Sequence, residues 1–362
     1  MDKHWLLLVA ALAVAACGDS SPNPVNGQLP PDDGTGETPG EGGDEDVDGL
    51  NGVIIPEGNA ENVRSVQWIR NGEGDADDQL IVEGVPLDDS PVQGVYTRAA
   101  SEDLDGYIAF TKQDDRLDRI FLAMAGETPD GAVRGFVVGE GGQFDIEFGG
   151  ANYQRDAAFT PPDVETGNGL VSYAGRYVGI TDLRDPDQAP RLNPFGENGD
   201  QTVPRNLDGT VLSQAIPQKS RVIRGKVFMN VDFADNQVNG VISERTFEDG
   251  GRIGDEEYLI LKPGDIDEQG NFAGEAEQKV EAEEDLRAFG GYAGAFGGEN
   301  ASGMVGVVTS QESVLRRTVE GGAEDIEESS ENGLFVIPRC SSANADPICG
   351  ELQDVDGLID PR

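Results

Sequence analysis

Residues 221–244, RVIRGKVFMNVDFADNQVNGVISE, have the pattern of two neighbouring antiparallel strands joined by a tight turn. Val227, Met229 and Val231 alternate with polar residues, and a period of two predicts a half-buried strand. The four residues ADNQ that follow tolerate the positive φ angles of a hairpin turn, and the chain then returns through a second alternating run. This stretch therefore predicts a β-hairpin, in which Phe228 is an apolar residue on the polar face.

A second hairpin pattern, from Gly290 to Ser310, places Tyr292 and Phe296 between glycines. Glycine at this density weakens a strand unless the sheet bends sharply, so the pattern indicates a closed or strongly curled sheet. Counting the remaining alternating runs gives roughly eight strands, the number at which an up-and-down barrel closes over its side chains. We therefore predict an all-β protein with an eight-stranded antiparallel β-barrel over residues 169–338.

Shorter strand patterns, separated by turn residues, precede this barrel and predict an N-terminal antiparallel β domain over residues 51–160. Trp68 lies on one of them and is expected in the core rather than at a ligand platform. Polar residues from Ala151 onward indicate a junction before residue 169. The predicted strands are Ser65–Arg70, Leu80–Val85, Pro91–Arg98, Gly106–Thr111, Arg119–Ala125, Ala132–Val138 and Gln143–Phe148.

The charge balance excludes several classes of function. The 362 residues include 69 acidic and 26 basic side chains, a net charge of −43, which excludes nucleic acid as a partner because phosphates are bound by Lys and Arg. The one histidine, His4, lies in a segment that we expect to be removed. A chain without histidine cannot run a Ser-His-Asp or Cys-His mechanism and lacks the commonest zinc, copper and haem ligand. We expect no catalytic residue, metal or cofactor; carboxylate-only chemistry such as glycoside hydrolysis is the enzymatic alternative.

Two fragments imitate the start of an EF-hand calcium loop. Asp44 and Asp265 each begin an acidic run ending in glycine. The twelfth positions, Ile55 and Ala276, are not glutamate, so we expect no calcium site there.

Residues 1–16 have the organisation of a secretory signal, with Lys3 before an apolar run that is too short to span a bilayer. The tetrad VAAC ending at Cys17 resembles a bacterial lipobox, in which the cysteine thiol carries a diacylglyceryl group. The alternative is an ordinary cleaved signal with an incidental cysteine. Residues 17–50 follow with nine acidic side chains and no basic one, together with dense Gly and Pro, which predicts a disordered tether.

A long polar segment, 182–220, interrupts the barrel strands and combines basic with apolar side chains. Loops of this length in compact domains are usually functional or disordered. We therefore predict a partner-binding loop, the alternative being a disordered insertion. The candidate residues are Arg184, Arg191, Leu192, Phe195 and Arg205. Residues 311–332 are expected to form another exposed loop.

Cys340 and Cys349 are the cysteines that remain after Cys17. Export places them in an oxidising compartment, and the short spacing predicts a disulfide within a C-terminal tail of residues 339–362.

Together these motifs resemble the transferrin-binding protein B family of surface lipoproteins, which includes factor H-binding-like members. The matching features are the pair Asp232-Phe233, the return strand with Gly240, and Ala301 and Gly306 in the glycine-aromatic hairpin. The resemblance implies a handle-like β domain before an eight-stranded barrel, the pair forming one lobe. It also implies lipid-anchored display on the outer membrane, at the cell surface of a Gram-negative bacterium. We carry over the fold and the display, not an iron substrate.

The leading functional hypothesis is a non-catalytic binding protein that is held to the membrane by its lipid and contacts a protein or small solute through barrel loops. The alternative is a structural or envelope-assembly lipoprotein, whose acidic surface keeps it soluble.

Overall fold

The computed structural model describes the N-terminal region at residues 47–48, 52–72, 74–84, 93–143, 146–166 and 169–184. Its C-terminal part is described at residues 205–210, 212, 216–248, 250, 253, 258–279, 286–318 and 324–351. The predicted signal and Cys17 lie outside these residues, as does nearly all of the tether. The described helices, α1 (Glu57–Ala60) and α2 (Ile348–Glu351), are four residues each, and no helix of the described part has the length and apolar character needed to cross a membrane.

The N-terminal half is a seven-stranded antiparallel sheet in which each strand pairs with the next along the chain. A two-stranded ribbon of β1 (Val47–Asp48) and β2 (Ile54–Ile55) precedes it. The sheet strands are β3 (Ser65–Ile69), β4 (Gln79–Glu83), β5 (Gln93–Arg98), β6 (Ile108–Lys112), β7 (Phe121–Glu127), β8 (Val133–Glu140) and β9 (Gly150–Arg155).

The predicted seventh strand, Gln143–Phe148, is wrong: the strand at this place in the sheet is β9. The polar side chains of β9 misled the sequence interpretation, because they are buried and hydrogen-bonded. The Nε2 of Gln154 donates to the Val66 carbonyl at 2.6 Å, and the Nε of Arg155 donates to the Phe296 carbonyl at 2.6 Å. A buried polar residue costs little when its hydrogen bonds are made.

The second half is a closed eight-stranded barrel in which β10 pairs with both β11 and β17. This confirms the predicted fold. In the opening hairpin, Asp232 pairs with Gln237, and Asn236 takes φ 55° in the turn between them. The barrel strands are β10 (Leu170–Arg184), β11 (Ser220–Asp232), β12 (Gln237–Phe247), β13 (Tyr258–Ile266), β14 (Asn271–Lys279), β15 (Arg287–Gly297), β16 (Gly303–Thr318) and β17 (Glu324–Pro338).

The loop predicted over residues 311–332 is also wrong, because most of that segment extends β16 and β17. The two strands stay paired as far as Thr318 and Glu324. Acidic residues disfavour strands only weakly, and backbone pairing with a neighbouring strand overrides that preference.

Aromatic rings fill the barrel interior by packing on glycines of neighbouring strands. A Cβ added at Gly333 would overlap the Tyr177 ring, and one at Gly306 would overlap the Phe335 ring. Both rings are fully buried in the interior cluster. The glycines that indicated a curled sheet therefore make room for large rings inside a closed one.

The sheet packs on the outer face of the barrel through a shared apolar core. Tyr107, Val137 and Tyr153 of the sheet cluster with Val178 and Leu334 of the barrel. The Tyr107 hydroxyl donates to the Arg176 carbonyl at 2.8 Å and accepts from the Val336 amide at 3.0 Å. The two halves therefore share one core within the compact unit that covers residues 41–362.

The other face of the sheet carries its own core, and Trp68 packs against it. The indole lies edge-on to Phe110 and Phe136 at centroid distances of 6.2 and 6.1 Å. Its Nε1 donates to Asp78 at 2.9 Å. Trp68 is therefore partly buried against this core, in agreement with the expectation that it packs with core residues.

The C-terminal tail covers the outer face of the barrel, and the predicted disulfide between Cys340 and Cys349 is present. Ile348, next to this disulfide, is buried against Phe228 and Val241. The apolar Phe228 on the polar face of the opening hairpin is therefore explained by the tail that lies over it.

Candidate functional site at the long-loop end of the barrel

The two ends of the barrel carry connections of different length. At the end that we call the short-turn end, strands are joined by residues 233–236, 267–270 and 298–302. At the opposite, long-loop end they are joined by residues 185–219, 248–257, 280–286 and 319–323, and the first three of these are longer than any connection at the short-turn end. Binding residues concentrate on loops that a rigid scaffold holds, so the long-loop end is the candidate site.

The predicted partner-binding residues lie in the first of these connections or, in the case of Arg184, directly before it. Arg184 is the last residue of β10 and pairs with Ser220. Arg205 is exposed, and its Nη1 donates to the Gly209 carbonyl at 2.9 Å. Arg191, Leu192 and Phe195 lie outside the described residues. The role of the five residues stays a prediction.

Residues 205–210 form an ordered turn that displays Leu207, whose side chain is fully exposed, with a relative accessibility of 111%. The Asn206 amide donates to the Thr210 carbonyl at 2.8 Å, and the Gly209 amide donates to the Asn206 carbonyl at 2.9 Å. Asp208 accepts from the Thr210 amide at 2.9 Å. The turn is held by these contacts, and none of them covers the leucine.

A cleft of about 940 Å³ lies beside the long-loop end, between the sheet half and the barrel. We call it the acidic cleft. Its walls come from α1 and its flanks, from the end of β8 and the chain before β9, and from the barrel. The lining residues are Pro56, Glu57, Gly58, Glu61, Asn62, Gly139, Glu140, Glu147, Phe148, Gly149, Ile180, Thr181, Asp182, Ser330 and Asn332. Five of them are carboxylates, and none is Lys or Arg.

Two of these carboxyls meet across the seam between the halves. Asp182 on β10 accepts from the Ser330 amide at 3.0 Å, and the hydroxyl of the same serine donates to Glu147. Burial, followed by the adjacent Glu147 carboxyl, raises the pKa of Asp182 to about 8. With its pKa raised in this way, the Asp182 carboxyl keeps its proton at neutral pH.

A third carboxyl, Glu61, lies next to the same seam. Its Oε2 accepts from the Asn332 side-chain amide at 3.2 Å. Burial raises the pKa of Glu61, and the charge of Glu147 adds to that rise, while the hydrogen bond from Asn332 opposes it. Burial is therefore the main reason that the pKa values of Glu61 and Asp182 are raised, and the Glu147 carboxyl adds to both rises.

Glu140 differs from the other acidic lining residues because it has an ion pair. The Arg119 guanidinium donates to it at 2.5 Å. Burial nevertheless raises the pKa of Glu140 to about 7.

Inside the barrel, near the same end, Arg245 and Glu331 form an ion pair with no exposed side-chain surface. The Tyr177 hydroxyl donates to Glu331 at 2.6 Å. Burial, and then the Glu331 charge, hold the pKa of Tyr177 well above its ordinary range. This network fills the interior with polar groups rather than with a ligand cavity.

The sequence interpretation did not find the acidic cleft. Its lining residues come from four segments far apart in the chain, and carboxylates are so frequent that none stood out. The pair formed by Asp182 and Glu147 also fails to support the glycoside hydrolysis alternative. That chemistry uses carboxyls separated by about 5 Å or more, whereas these two are in hydrogen-bonding contact.

The comparisons with known proteins fall into two groups. No protein-family model and no curated protein matches the sequence. Solved structures of transferrin-binding protein B do match. Intact Ap-TbpB, with N and C lobes, is 9% identical with a TM-score of 0.31, over 76% of this chain and 55% of that chain.

Two variants of the vaccine antigen transferrin-binding protein B from Haemophilus parasuis Hp5 also match. Each is 11% identical over 76% of this chain. Their TM-scores are 0.31 and 0.30, and the matches cover 54% and 53% of the antigen chains. Scores at this level carry no argument about ligand or activity. The chain is thus similar to solved transferrin-binding protein B structures, and it spans about half of their length.

Proposed function

We propose that the protein is a non-catalytic binding protein, anchored by lipid at Cys17 to the outer membrane and displayed at the cell surface. Its long-loop end contacts a partner protein. The observation that supports this most strongly is the ordered turn at residues 205–210, which presents Leu207 to solvent. An ordered turn loses little conformational entropy when a partner covers it, and burying one leucine contributes about 1.5–3 kcal/mol.

The surrounding residues suit a protein partner better than a small solute. Arg205 belongs to the same turn as the leucine, and arginine together with apolar residues is a common composition at the centre of protein interfaces. The described interior of the barrel is filled by aromatic rings and by the buried ion pair, which leaves the loops as the contacting surface.

The binding test compares two exposed leucines at opposite ends of the barrel. The full chain is immobilised and exposed to the native medium, and the captured proteins are identified by mass spectrometry. Leu207→Asp should abolish capture. Leu170→Asp, at the short-turn end, where the leucine is 77% exposed, should capture the same protein as the wild type. Equal capture by both variants would contradict the proposed surface.

The anchoring test uses Cys17→Ser. The substitution should release the protein into the soluble periplasmic fraction and remove the acyl mass from the N-terminal peptide. Protease added to intact cells should digest the wild-type protein. An unacylated Cys17 would contradict the anchor.

The envelope-assembly alternative predicts a different pair of results. Capture would then recover no partner, and a deletion strain would show an envelope defect that Leu207→Asp corrects as well as the wild-type gene does.

A further inference from the structure

We propose that the C-terminal tail is a redox-controlled cover. Its disulfide holds the tail over an apolar row, formed by Ala174, Phe228 and Val241 on the outer face of the barrel, and reduction of the disulfide by a dithiol uncovers the row. The tail and the turn at residues 205–210 are different surfaces, so this inference does not depend on the proposed function.

The apolar row runs across three neighbouring strands of the barrel. Ala174 on β10 pairs with Phe228 on β11, and Phe228 pairs with Val241 on β12. Paired residues of adjacent strands point to the same side of a sheet, so the three side chains are continuous. Each is at most 7% exposed. The residues two positions away on the same strands are all polar, namely Ser172, Arg176, Lys226, Asn230, Asn239 and Ser243.

The tail is what shields this row from solvent. Ile348 is 1% exposed and packs on the row, and Cys340 and Cys349 pack partly buried against the same cluster. Tyr258, the remaining described member of the cluster, belongs to the barrel itself. The outer face of an antiparallel sheet is commonly solvated and polar, and a contiguous apolar surface on a folded protein marks a place of contact. Release of the tail would therefore create a binding surface.

The base of the tail is attached to the barrel differently from the rest. At the base the Cys340 amide donates to the Ser172 carbonyl at 2.9 Å. The described backbone hydrogen bonds of residues 342–350 instead stay within the tail. Beyond the base, the tail is therefore held to the barrel by side chains and by the disulfide.

The far end of the tail depends on the disulfide most of all. Glu351 accepts from the Nζ of Lys226 at 3.0 Å, but 58% of its side chain is exposed, and an ion pair of that kind contributes little. The disulfide ties the far end to the base by closing the loop of residues 340–349. Opening this loop restores conformational freedom to the chain and leaves the buried Ile348 as the main attachment.

The proposed reduction is a thiol–disulfide exchange. Both cysteines are only partly buried, so a reductant can reach the sulfurs. A thiolate of the dithiol attacks one sulfur, and the S–S bond breaks to give a mixed disulfide and one cysteine thiolate. The second thiol of the reductant then displaces the other cysteine and closes the reductant's own disulfide. Two electrons and two protons thus pass from the dithiol to the cysteines.

The test compares the oxidised full chain with the same chain treated with dithiothreitol. Hydrogen exchange of the amides at residues 348–350 should accelerate by about thirtyfold on reduction, because the open loop no longer restrains the tail. The fluorescence of Nile red, an apolar dye without charge, should rise on reduction and shift to shorter wavelength, because the uncovered row binds the dye. Re-oxidation should reverse both changes.

The matched control is Phe228→Thr, which removes the largest side chain of the row and keeps the disulfide. Threonine suits a strand, so the barrel should still fold. Reduction of this variant should accelerate exchange in the tail as in the wild type, without the Nile red signal. Cys340→Ser combined with Cys349→Ser should bind the dye with or without dithiothreitol. If that double variant does not fold, reduction of the folded wild type remains the measurement.

Three outcomes would overturn the proposal. Unchanged exchange at residues 348–350 after reduction would mean that the disulfide does not hold the tail. Faster exchange without a Nile red signal would mean that the row stays covered. Loss of protection along β11 and β12 together with the tail would mean that the barrel itself opens. Leu207→Asp should respond to dithiothreitol as the wild type does, which separates this test from that of the partner surface.

Discussion

The interior of the barrel is filled by different kinds of side chain at its two ends. At the short-turn end Phe296 lies at the centre of an aromatic cluster. Its ring centroid is 5.1 Å from those of Phe233 and Phe272. Phe159, from the chain that links the two halves, packs against the same ring at 6.1 Å and covers that end. At the long-loop end the interior instead contains the ion pair of Arg245 and Glu331.

The difference separates an end whose aromatic packing stabilises the barrel from an end that carries the candidate binding features. At the short-turn end the buried rings pack on one another, whereas at the long-loop end Phe247 and Phe289 are buried beside the guanidinium groups of Arg221 and Arg245. Long connections leave the other end with polar interior groups, the acidic cleft and an exposed leucine. Sites for binding generally come from such less constrained regions.

The largest loss of stability is expected from a substitution in the aromatic cluster, and it tests whether the short-turn end is the more stable one. Phe296→Ala should lower the free energy of unfolding by about 4 kcal/mol, because it removes a ring that is fully buried and leaves a cavity between others. Urea unfolding followed by circular dichroism measures this loss. Phe148→Ala, at the rim of the acidic cleft and 9% exposed, provides the comparison and should cost less. Equal losses would mean that the short-turn end is not the more stable one.

The buried ion pair gives the next effect. Glu331→Gln should cost about 3 kcal/mol, because it leaves the Arg245 charge buried without its carboxylate. The double variant Arg245→Met, Glu331→Leu should lose less than the single one, since burying no charge is cheaper than burying one alone. Urea unfolding measures both values, and the single variants Arg245→Met and Glu331→Leu complete a double-mutant cycle with the double variant. Additive losses in that cycle would show that the two side chains do not interact.

The disulfide should have a smaller effect, confined to the tail. Replacing Cys340 and Cys349 by Ser should cost about 2 kcal/mol through the greater freedom of the tail. Hydrogen exchange should show lost protection at residues 348–351, with the barrel strands unchanged. Lost protection in β11 and β12 as well would mean that the tail stabilises the barrel itself.

The smallest effect concerns the acidic cleft, where a substitution should raise the free energy of unfolding instead of lowering it. The folded state raises the pKa of Asp182 from an ordinary value of 3.8 to about 8, so ionising it opposes folding. That cost is absent below about pH 4, grows as pH rises and is complete above about pH 8. Asp182→Asn should therefore stabilise the protein by about 1–2 kcal/mol at pH 9, after allowance for solvent screening, and by less at pH 5. Urea unfolding at the two pH values measures the gain. A gain that is the same at both would exclude this titration as its cause.

The barrel was largely predictable from the sequence, whereas the candidate site was not. Alternation through Val227, Met229 and Val231 and the glycine-aromatic pattern around Phe296 are local signals, and both hairpins lie where these signals put them. The predictions failed where local polarity disagreed with burial. Gln154 and Arg155 looked like part of a linker, but they belong to a buried strand because distant backbone carbonyls accept their hydrogen bonds.

The sequence by itself determined the strand class, the curled sheet and the disulfide, because period, glycine content and cysteine spacing act over a few neighbouring residues. Only the tertiary structure decided which carboxylates share a cleft, since Glu61, Glu147 and Asp182 come together through the packing of the sheet against the barrel. It also decided that Phe228 lies under the tail and that Phe159 covers the aromatic cluster. The physical reason is that burial and charge proximity depend on contacts between segments far apart in the chain, and a local pattern carries no information about those contacts.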